Sequence, residues 1–584
     1  MIEPNNTSAF RRLRCCAELR KAATGICLGW LLAGCPSPPQ LAITLPSDAQ
    51  NACPLAAATF AAWFQSGSVS LNGVVNPANS LNTLVPNCGF YQWAEQMFMW
   101  LTSPAPSTYG GGTHIFDSPT FFDVSSPDAS GNRTFVPHTL NFIHAAPLRI
   151  AKLGVHRLPV VIDRFGRLLE VRPVQPDLKP MVRDRQGKHV EVVHARVERG
   201  RLVLLGGNGE IIHPVLAGSI KPVDQNREVD SLIVQKFIID RIPIFIDPSL
   251  SVVDTEQGQA DGGVLQAQTT ANGSLIYYAT MVNDVYAYFL TGASKGAIST
   301  SPANQFPTTP TDLSNTVAFA VANGKSSPPF PDPNALAVEV KSAWVLAAGL
   351  PNLNSYITTM ATIPTYNQSN PETWIQTGQQ TVQVALVGMH VVGSTFGHPE
   401  MVWATFEHLG DAPVAAYSYT TSSGTQTVAQ NTTGAWLFAA SGAIGPFNLP
   451  HMAANGTAPS VTIQANPGFT VSPSDSLRAQ PWGAPGPSTG SNTEIISTDN
   501  NVLGMMANGD IRGNYILRGA TWTPFGSNPS SSNPGVGTSQ LANISMETYQ
   551  QGSNCFGCHQ NMNSSVNNAT TEISHVFGAL KPLF

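Results

Sequence analysis

One motif near the C-terminus, Cys555-Phe556-Gly557-Cys558-His559, constrains this chain of 584 residues more than any other feature. Two thiols three positions apart can each add to one vinyl group of haem, and the adjacent histidine then binds the iron. The motif therefore predicts one covalently attached haem c, held by Cys555 and Cys558, with His559 as an axial ligand of the iron. A zinc half-site and a simple disulfide are the alternatives, but the sequence holds no second CxxC to complete a four-cysteine zinc site.

The first 34 residues have the pattern of a bacterial lipoprotein signal peptide. A basic segment precedes an apolar run from Ala22 to Ala33, and Leu32-Ala33-Gly34 leads directly into Cys35. We expect Cys35 to be lipidated and to tether an exported protein on the periplasmic side of a membrane. The second mature position is not aspartate, which resembles lipoproteins of the outer membrane. A plain secretory signal or an N-terminal helical anchor is the alternative.

Export also bears on the cysteines that remain in the mature chain. Cys53 and Cys88 would meet an oxidising compartment, so we predict that they form a disulfide. Closing a loop of roughly 35 residues would stabilise the fold by about 3–4 kcal/mol. The alternative is two buried free thiols.

The composition favours turns and strands over long surface helices. Charged residues make up only 11% of the chain, which contains 50 glycines and 46 prolines. We therefore expect an α+β, β-rich fold with sandwich-like central sheets and a short helical segment that binds the haem. The net charge of −6 gives no overall basic field, so nucleic acid is not an expected partner.

Changes in composition along the chain suggest four regions. They are a signal peptide at 1–34, a tether and N-terminal segment at 35–80, a β-rich main domain at 81–535 and a haem-binding segment at 536–584. Within the main domain, residues 147–225 are locally basic and repeat β-branched runs around Gly-containing turns, which predicts an inserted β-hairpin subdomain. Its basic surface either docks an acidic redox partner or is simply solvated.

The second axial ligand of the iron is less constrained by the sequence. Only 25 residues follow His559, so the large domain must cover part of the haem. His575 is the best local candidate, on a helix expected over residues 573–580, and a second helix is expected over 540–551. The alternatives are methionines: Met505, Met506, Met546 and, less suitably placed, Met562.

A second group of histidines and carboxylates lies in two apolar runs at 381–411. If both runs are strands of one hairpin, His390, His408 and Glu407 would lie close enough to share a second metal ion. With His398 and Glu400, they could instead face an open haem as acid–base groups. For each histidine on its own, a structural role is the more common explanation.

Five segments resemble exported bacterial proteins grouped as the cytochrome c family. They are KSAWV at 341–345, VALVGMHVVG at 384–393, HPEMVWATFEH at 398–408, METYQQGSNCFGCH at 546–559 and ISHVFGALKPLF at 573–584. The resemblance implies one haem near the C-terminus and a large partner domain with no assigned activity. It implies nothing about a substrate.

Three functions agree with these features. The first is electron transfer by a lipid-anchored monohaem cytochrome with an unidentified redox partner protein. The second is a haem-dependent oxidoreductase, similar to a peroxidase or oxidase, whose large domain binds substrate. The third is a surface or assembly protein in which the haem only stabilises the C-terminal segment.

Overall fold

A long hairpin lies at the centre of the fold, where the sequence has two apolar runs. Thr373–Thr395 and His398–His408 are antiparallel strands joined by Phe396 and Gly397. Gly397 has a φ of +83°, a left-handed conformation that glycine adopts without strain. Most residues in the paired half of this hairpin are buried, because both faces of the sheet are covered by other parts of the chain.

The computed structural model describes most of the chain from residue 43 to the C-terminus. The described residues are 43–81, 86–128, 132–138, 143–147, 158, 160–162, 168–172, 178–198, 201–217, 233–239, 242–253, 264–269, 273–300, 305–327, 329–455, 460–466, 468–483, 489–529, 535–538, 540–549, 551, 555–559, 570–574 and 576–584. The predictions for the signal peptide, Cys35, Met562 and His575 fall outside these residues.

The hairpin belongs to a sheet of twelve strands in the described part of the chain. In chain order these are β1 Phe121–Val124, β2 Phe135–Pro137, β3 Ile143–His144, β4 Tyr277–Asn283, β5 Val338–Leu346, β6 Thr358–Asn367, β7 Thr373–Thr395, β8 His398–His408, β9 Met452–Asn455, β10 Thr462–Ala465, β11 Tyr515–Trp522 and β12 Val536–Gly537. The main path is β2-β1-β4-β5-β7-β8-β11-β12, while β6 and β10 both pair with the first half of β7.

Helices pack around this sheet. The described α-helices are α1 Ala57–Trp63, α2 Pro86–Leu101, α3 Asp284–Ser294, α4 Pro310–Ala322, α5 Asn492–Met505 and α6 Cys555–Cys558. The 3₁₀ turns are Ser107–Tyr109, Ile115–Asp117, Pro333–Ala335, Leu353–Ser355, Ile511–Asn514, Pro524–Gly526, Thr570–Ile573 and Phe577–Ala579. The fold is therefore α+β, β-rich and sandwich-like, as the composition predicts. Within the described residues, none of the helices combines the length and the apolar character needed to cross a bilayer.

The basic region contains the successive hairpins that its repeats predict. Antiparallel pairs form between Val160–Ile162 and Leu168–Arg172, between Met181–Arg183 and His189–Glu191, and between Arg201–Leu205 and both His194–Glu198 and Ile211–Ile212. The sheet that contains Val160–Ile162 and Leu168–Arg172 continues beyond residue 225. Its other strands are Ile233–Ile239, Ile242–Ile246 and Val252–Val253. Two apolar clusters, drawn only from residues between Leu169 and Val253, give this region a core of its own.

The remaining described strands form two separate two-stranded sheets. Gln266–Ala267 pairs with Ser274–Leu275, and Tyr417–Thr421 pairs with Gly424–Val428.

The two faces of the central sheet differ in chemistry. Residues directly opposite each other on paired strands share a face, so the row Lys341, His390 and Thr405 marks a polar face. The intervening residues, such as Val391 and Ala404, belong to the large apolar core that includes α2. We call these the polar face and the apolar face of the sheet.

Both helices predicted around the haem motif are wrong for the described residues. Residues 540–549 form turns rather than a helix, because the Asn543 side chain accepts a hydrogen bond from the Ser545 backbone and donates two to β8. The described residues of 573–580 are not α-helical: the 3₁₀ turn Thr570–Ile573 ends at Ile573, and Phe577–Ala579 forms another 3₁₀ turn. The Ser574 side chain lies 3.3 Å from the backbone nitrogens of Val576 and Phe577, where it competes with helical hydrogen bonding.

Candidate functional site

The cysteine motif forms a single helical turn that is half enclosed by protein. Cys555–Cys558 is the four-residue helix α6, and the backbone N–H of His559 extends it by donating to the Cys555 carbonyl at 2.8 Å. Phe556 and His559 are buried, whereas Cys555 is half-buried. The two cysteines are therefore the first and last residues of one helical turn, and the histidine follows directly.

His559 is held in one orientation by two contacts. Its Nδ1 lies 3.0 Å from the backbone carbonyl of Ile573, and its ring centroid lies 4.1 Å from that of Trp403. Because a carbonyl only accepts hydrogen bonds, Nδ1 must carry the proton, and the neutral ring then has its lone pair on Nε2. This tautomer is the one in which a histidine binds a metal through Nε2 while its other nitrogen is fixed by the protein.

An apolar cluster surrounds the motif. Phe556 and half-buried Cys555 pack in it with Met401 and Trp403 of β8 and with Ile573. Aromatic residues of α3 and of the loops before α4 and after Thr570–Ile573 complete it: Tyr286, Phe289, Phe306 and Phe577. Such a low-polarity wall is what a haem face requires on the protein side.

The described methionines differ in their relation to this cluster. Met401 is buried within it, whereas Met546 belongs to another cluster and Met505 and Met506 pack against the apolar core. Met401 also has a φ of +66°, a left-handed conformation that costs a non-glycine residue backbone strain. Sequence reasoning missed Met401, because nothing local connects it with a motif about 150 residues away.

The segment before the motif is fastened to the polar face by directional hydrogen bonds. Asn543 donates through Nδ2 to the Thr405 hydroxyl at 2.8 Å and to the Phe406 carbonyl at 2.9 Å. The Tyr278 hydroxyl donates to the Ser545 carbonyl at 2.9 Å. The approach is so close at Gly388 that a Cβ there would overlap the side chains of Ser545 and Asn543.

Glu407 is the charged centre of this attachment. Its Oε1 accepts a hydrogen bond from the Ile544 backbone at 2.7 Å, while its Oε2 accepts from Arg478 and from Arg518, the latter at 2.7 Å. Burial acts to raise the pKa of Glu407, but the two arginines outweigh it and hold the pKa below its usual value. Glu407 is therefore a buried carboxylate engaged by protein donors.

His408 lies on the opposite side of β8 from Glu407. Its ring stacks on Tyr356 at a centroid distance of 3.8 Å, its Nε2 lies 3.2 Å from the Ser355 carbonyl, and its Nδ1 accepts from the Gly410 backbone at 3.1 Å. Burial lowers the pKa of His408 to about 3, so it is neutral at physiological pH. It is a structural histidine in this arrangement.

The predicted second metal site is consequently not assembled. His390 shares the polar face with Glu407 but pairs with Glu547, with Nε2 and Oε2 3.1 Å apart, while His408 points to the other face. Within the described residues, no group of three or more His, Cys, Asp or Glu side chains is arranged to hold a metal ion. Successive side chains of a strand point to opposite faces of the sheet, so Glu407 and His408 do not face a common metal ion.

The polar face instead carries an acid–base cluster beside the motif. Lys341 of β5 lies opposite His390 of β7, and Glu339 lies two residues before Lys341 on the same strand. The Ser574 hydroxyl donates to Glu339 at 2.6 Å and lies 2.8 Å from the Tyr286 hydroxyl. Burial raises the pKa of Glu339, although Lys341, Ser574 and His390 oppose the shift.

The local sequence pattern around Glu339 and Lys341 indicates that both lie on a polar face of a strand. In the run VEVKSAWV they alternate with apolar residues, which is the pattern of a strand with one polar face.

The remaining pair of the hairpin, His398 and Glu400, lies at its turn. His398 Nδ1 and Glu400 Oε1 are 2.8 Å apart, and the same oxygen accepts from the Thr523 backbone at 3.2 Å. Burial raises the pKa of Glu400, partly opposed by His398. The pair ties the β7–β8 turn to the end of β11 and does not join the His390 cluster.

The predicted disulfide between Cys53 and Cys88 is confirmed. The two Cα atoms lie 5.2 Å apart, and the bond joins the N-terminal segment to the first turn of α2. The apolar residues that recur at helical spacing between Cys88 and Leu101 lie in α2 and pack in the apolar core.

Comparison of the chain with protein-family models, with curated proteins and with solved structures gives no significant match.

Proposed function

We propose that this protein is an exported c-type cytochrome lipoprotein that transfers electrons on the periplasmic side of the outer membrane. One haem c would be attached through Cys555 and Cys558, with His559 as an axial ligand. A haem bound in this way supplies a one-electron redox centre. The redox partner would be another exported protein, and the membrane contact would be the lipid on Cys35.

The orientation of His559 is the observation that carries this proposal. The Ile573 carbonyl accepts a hydrogen bond from Nδ1–H, which favours the tautomer whose lone pair is on Nε2, the atom that would bind the iron, and the Trp403 ring packs against the imidazole. The apolar residues Met401, Trp403 and Phe556 would keep water from the motif, as a redox centre with a defined potential requires.

In this proposal the large β-rich domain supports the haem-binding segment. The chain on both sides of the motif is bound to the polar face through Glu407 and Glu339. The central sheet would therefore be the rigid support on which the haem segment is positioned.

Absorption spectra test this proposal. The mature protein, produced together with c-haem maturation proteins, is recorded oxidised, reduced and reduced under CO. A c-type spectrum that CO leaves unchanged supports an electron carrier with both axial positions filled. A CO-dependent shift would contradict a closed carrier and favour the enzyme described below.

The second axial ligand is tested by two matched variants. His575→Ala removes the sequence candidate, and Met401→Leu removes the methionine that packs in the same apolar cluster as Phe556. The variant that loses the ligand should become CO-reactive, while the other keeps the parent spectrum. If neither variant becomes CO-reactive, neither residue is the ligand.

A haem-dependent oxidoreductase is the second candidate, because an acid–base cluster lies on the same sheet face as Trp403. His390, Glu547, Lys341 and Glu339 supply groups that could exchange protons with a substrate. His390→Gln tests this reading, with His144→Gln as the control, since His144 is another partly exposed histidine paired with a carboxylate. Loss of peroxidase or oxidase turnover only in the first variant would support an enzyme. Equal turnover in both variants would contradict it.

A further inference from the structure

One long stretch of the chain carries no charged side chain. Residues 412–474 contain no Asp, Glu, Lys or Arg, although charged residues make up 11% of the whole sequence. His451 is the one titratable group among them apart from tyrosines. A protein surface built from this stretch can enter a low-polarity environment without the cost of removing water from a charge.

Large apolar side chains of this stretch are exposed. Ile444 is 80% exposed, Leu449 is 57% exposed and Phe469 is 54% exposed. Leu449 and Phe469 lie on neighbouring loops, because the Phe469 ring packs 5.7 Å from the His451 ring and Asn466 donates to the Pro450 carbonyl at 2.9 Å. We call Ile444, Leu449 and Phe469 the apolar tip.

The loop that carries Ile444 is fixed at its base. Asp475 accepts from the Ser441 backbone through Oδ1 at 2.6 Å and from the Asn448 backbone through its carbonyl at 2.9 Å. The side chain of Asp475 is therefore engaged within the loop on which Ile444 and Leu449 are exposed. A loop held in this way presents its apolar residues without a large cost in ordering.

The chain that leads to the tip is connected by hydrogen bonds to the start of the described chain. Ile43 donates to the Leu409 carbonyl at 3.1 Å, and the next residue, Gly410, accepts from Leu437 at 3.1 Å. Ile444 follows Leu437 by seven residues. Cys35 precedes Ile43 by eight residues, which reach at most about 28 Å when fully extended.

We propose that the apolar tip inserts into the lipid bilayer to which Cys35 is tethered, and so gives the protein a second, non-covalent membrane contact. This inference rests on the lipid anchor of the proposed function. A lipid anchor at one point does not fix the orientation of a protein, whereas a second apolar contact adds buried apolar area and limits rotation about the anchor. The contact would orient the haem segment relative to the membrane.

The absence of charge distinguishes this contact from an electrostatic one. Binding through the tip should be independent of anionic lipid and of salt, because Ile444, Leu449 and Phe469 contribute only apolar area. Binding through the basic hairpin region would instead increase with anionic lipid and weaken in salt.

Vesicle sedimentation of the haem-loaded full mature chain, with Cys35→Ser to remove the lipid, tests the proposal. The vesicles are either purely phosphatidylcholine or contain one part in three of phosphatidylglycerol. The test variant combines Ile444→Ser, Leu449→Ser and Phe469→Ser. The control combines Leu71→Ser, Leu178→Ser and Ile211→Ser, which are 56%, 46% and 53% exposed elsewhere on the protein.

We expect the parent chain to bind both kinds of vesicle equally, at low and at high salt. The test variant should bind at least about tenfold more weakly, while the control binds like the parent. No binding to neutral vesicles, an equal loss in the control, or binding that needs anionic lipid would overturn the proposal. So would a concentration-dependent dimer of the parent that the test variant abolishes, because the tip would then be covered by a second copy.

The lipid anchor itself is tested separately, by incorporation of labelled palmitate into the full chain with and without Cys35→Ser. Absence of label would contradict the anchor but leave the vesicle result as an independent outcome.

Discussion

The two faces of the central sheet are held to the rest of the protein by different forces. On the apolar face, α2 packs through rings and aliphatic side chains, as where Phe98 stacks on Phe406 at a centroid distance of 4.2 Å. On the polar face, the segment around the cysteine motif is bound by directional contacts to Thr405, Glu407 and Glu339. Apolar packing tolerates small shifts, whereas hydrogen bonds to buried groups fix position.

This difference suggests what each face contributes. Burial of apolar area on the α2 side drives folding but places few atoms uniquely. The ion pairs of Glu407 with Arg478 and Arg518 carry a desolvation cost, so their value lies in specifying where Ile544 and the following segment dock. We interpret the apolar face as the source of stability and the polar face as the source of position for the candidate haem site.

The largest expected effect comes from breaking the charged centre of the polar face. Glu407→Gln removes the negative charge between two buried arginines and should lower the free energy of unfolding by about 3–5 kcal/mol. Urea denaturation measures it, and Glu372→Gln, at an exposed position, is the control. Amide exchange at residues 540–549 should also become faster. If the free energy of unfolding falls by less than about 1 kcal/mol, the ion pairs of Glu407 with Arg478 and Arg518 do not hold the segment in place.

On the apolar face, Phe98→Ala should cost about 3 kcal/mol, because it removes a buried ring stacked on Phe406. Unlike Glu407→Gln, it should leave amide exchange at residues 540–549 unchanged relative to the rest of the chain. Selective opening of that segment in Phe98→Ala would show that the two faces do not act separately.

A buried carboxyl group on α2 predicts a pH dependence. Burial raises the pKa of Glu95 to about 8, opposed by a hydrogen bond with Asp499, whereas the unfolded value is 4.5. The folded state therefore holds this proton more tightly, and the contribution of Glu95 is complete below pH 4.5 and lost as the pH rises towards 8. Between pH 6 and 7, the parent should lose up to about 1.4 kcal/mol more than Glu95→Gln does.

Urea unfolding of both proteins at several pH values measures that difference. Contributions from groups that do not interact with Glu95, such as His408, cancel, whereas Asp499, whose pKa is raised by Glu95, contributes to it. Parallel curves for the parent and the variant would mean that Glu95 does not titrate in this range.

The smallest effect is expected from the partly exposed pair of the polar face. His390→Gln breaks the contact with Glu547, but both side chains keep access to water, so the cost should be below about 1 kcal/mol. Thermal unfolding of the variant measures it. A cost similar to that of Glu407→Gln would place His390 among the residues that hold the segment.

Local patterns were sufficient for part of the structure. The β7–β8 hairpin follows from two apolar runs around a glycine turn, α2 from helical spacing, and the Cys53–Cys88 bond from the number of cysteines left after export. Each of these depends on residues close in sequence or on a short list of partners.

The candidate site depended on contacts that no local pattern contains. Arg478 and Arg518 are 71 and 111 residues from Glu407, and Ser574 is 235 residues from Glu339. The predictions of helices at 540–551 and 573–580 were wrong for the same reason. Asn543 and Ser574 donate hydrogen bonds to side chains of strands that are distant in sequence. Helical propensity was overridden by tertiary hydrogen bonds.

The most direct test of the account is whether haem remains bound after the protein is unfolded. The mature chain and a Cys555→Ser/Cys558→Ser variant, both produced with c-haem maturation proteins, are denatured and separated by size, and haem is detected by its absorbance. If haem c is covalently attached through Cys555 and Cys558, haem will comigrate with the parent chain and not with the variant. Haem that separates from the denatured parent, or its complete absence from the folded protein, would contradict the central claim.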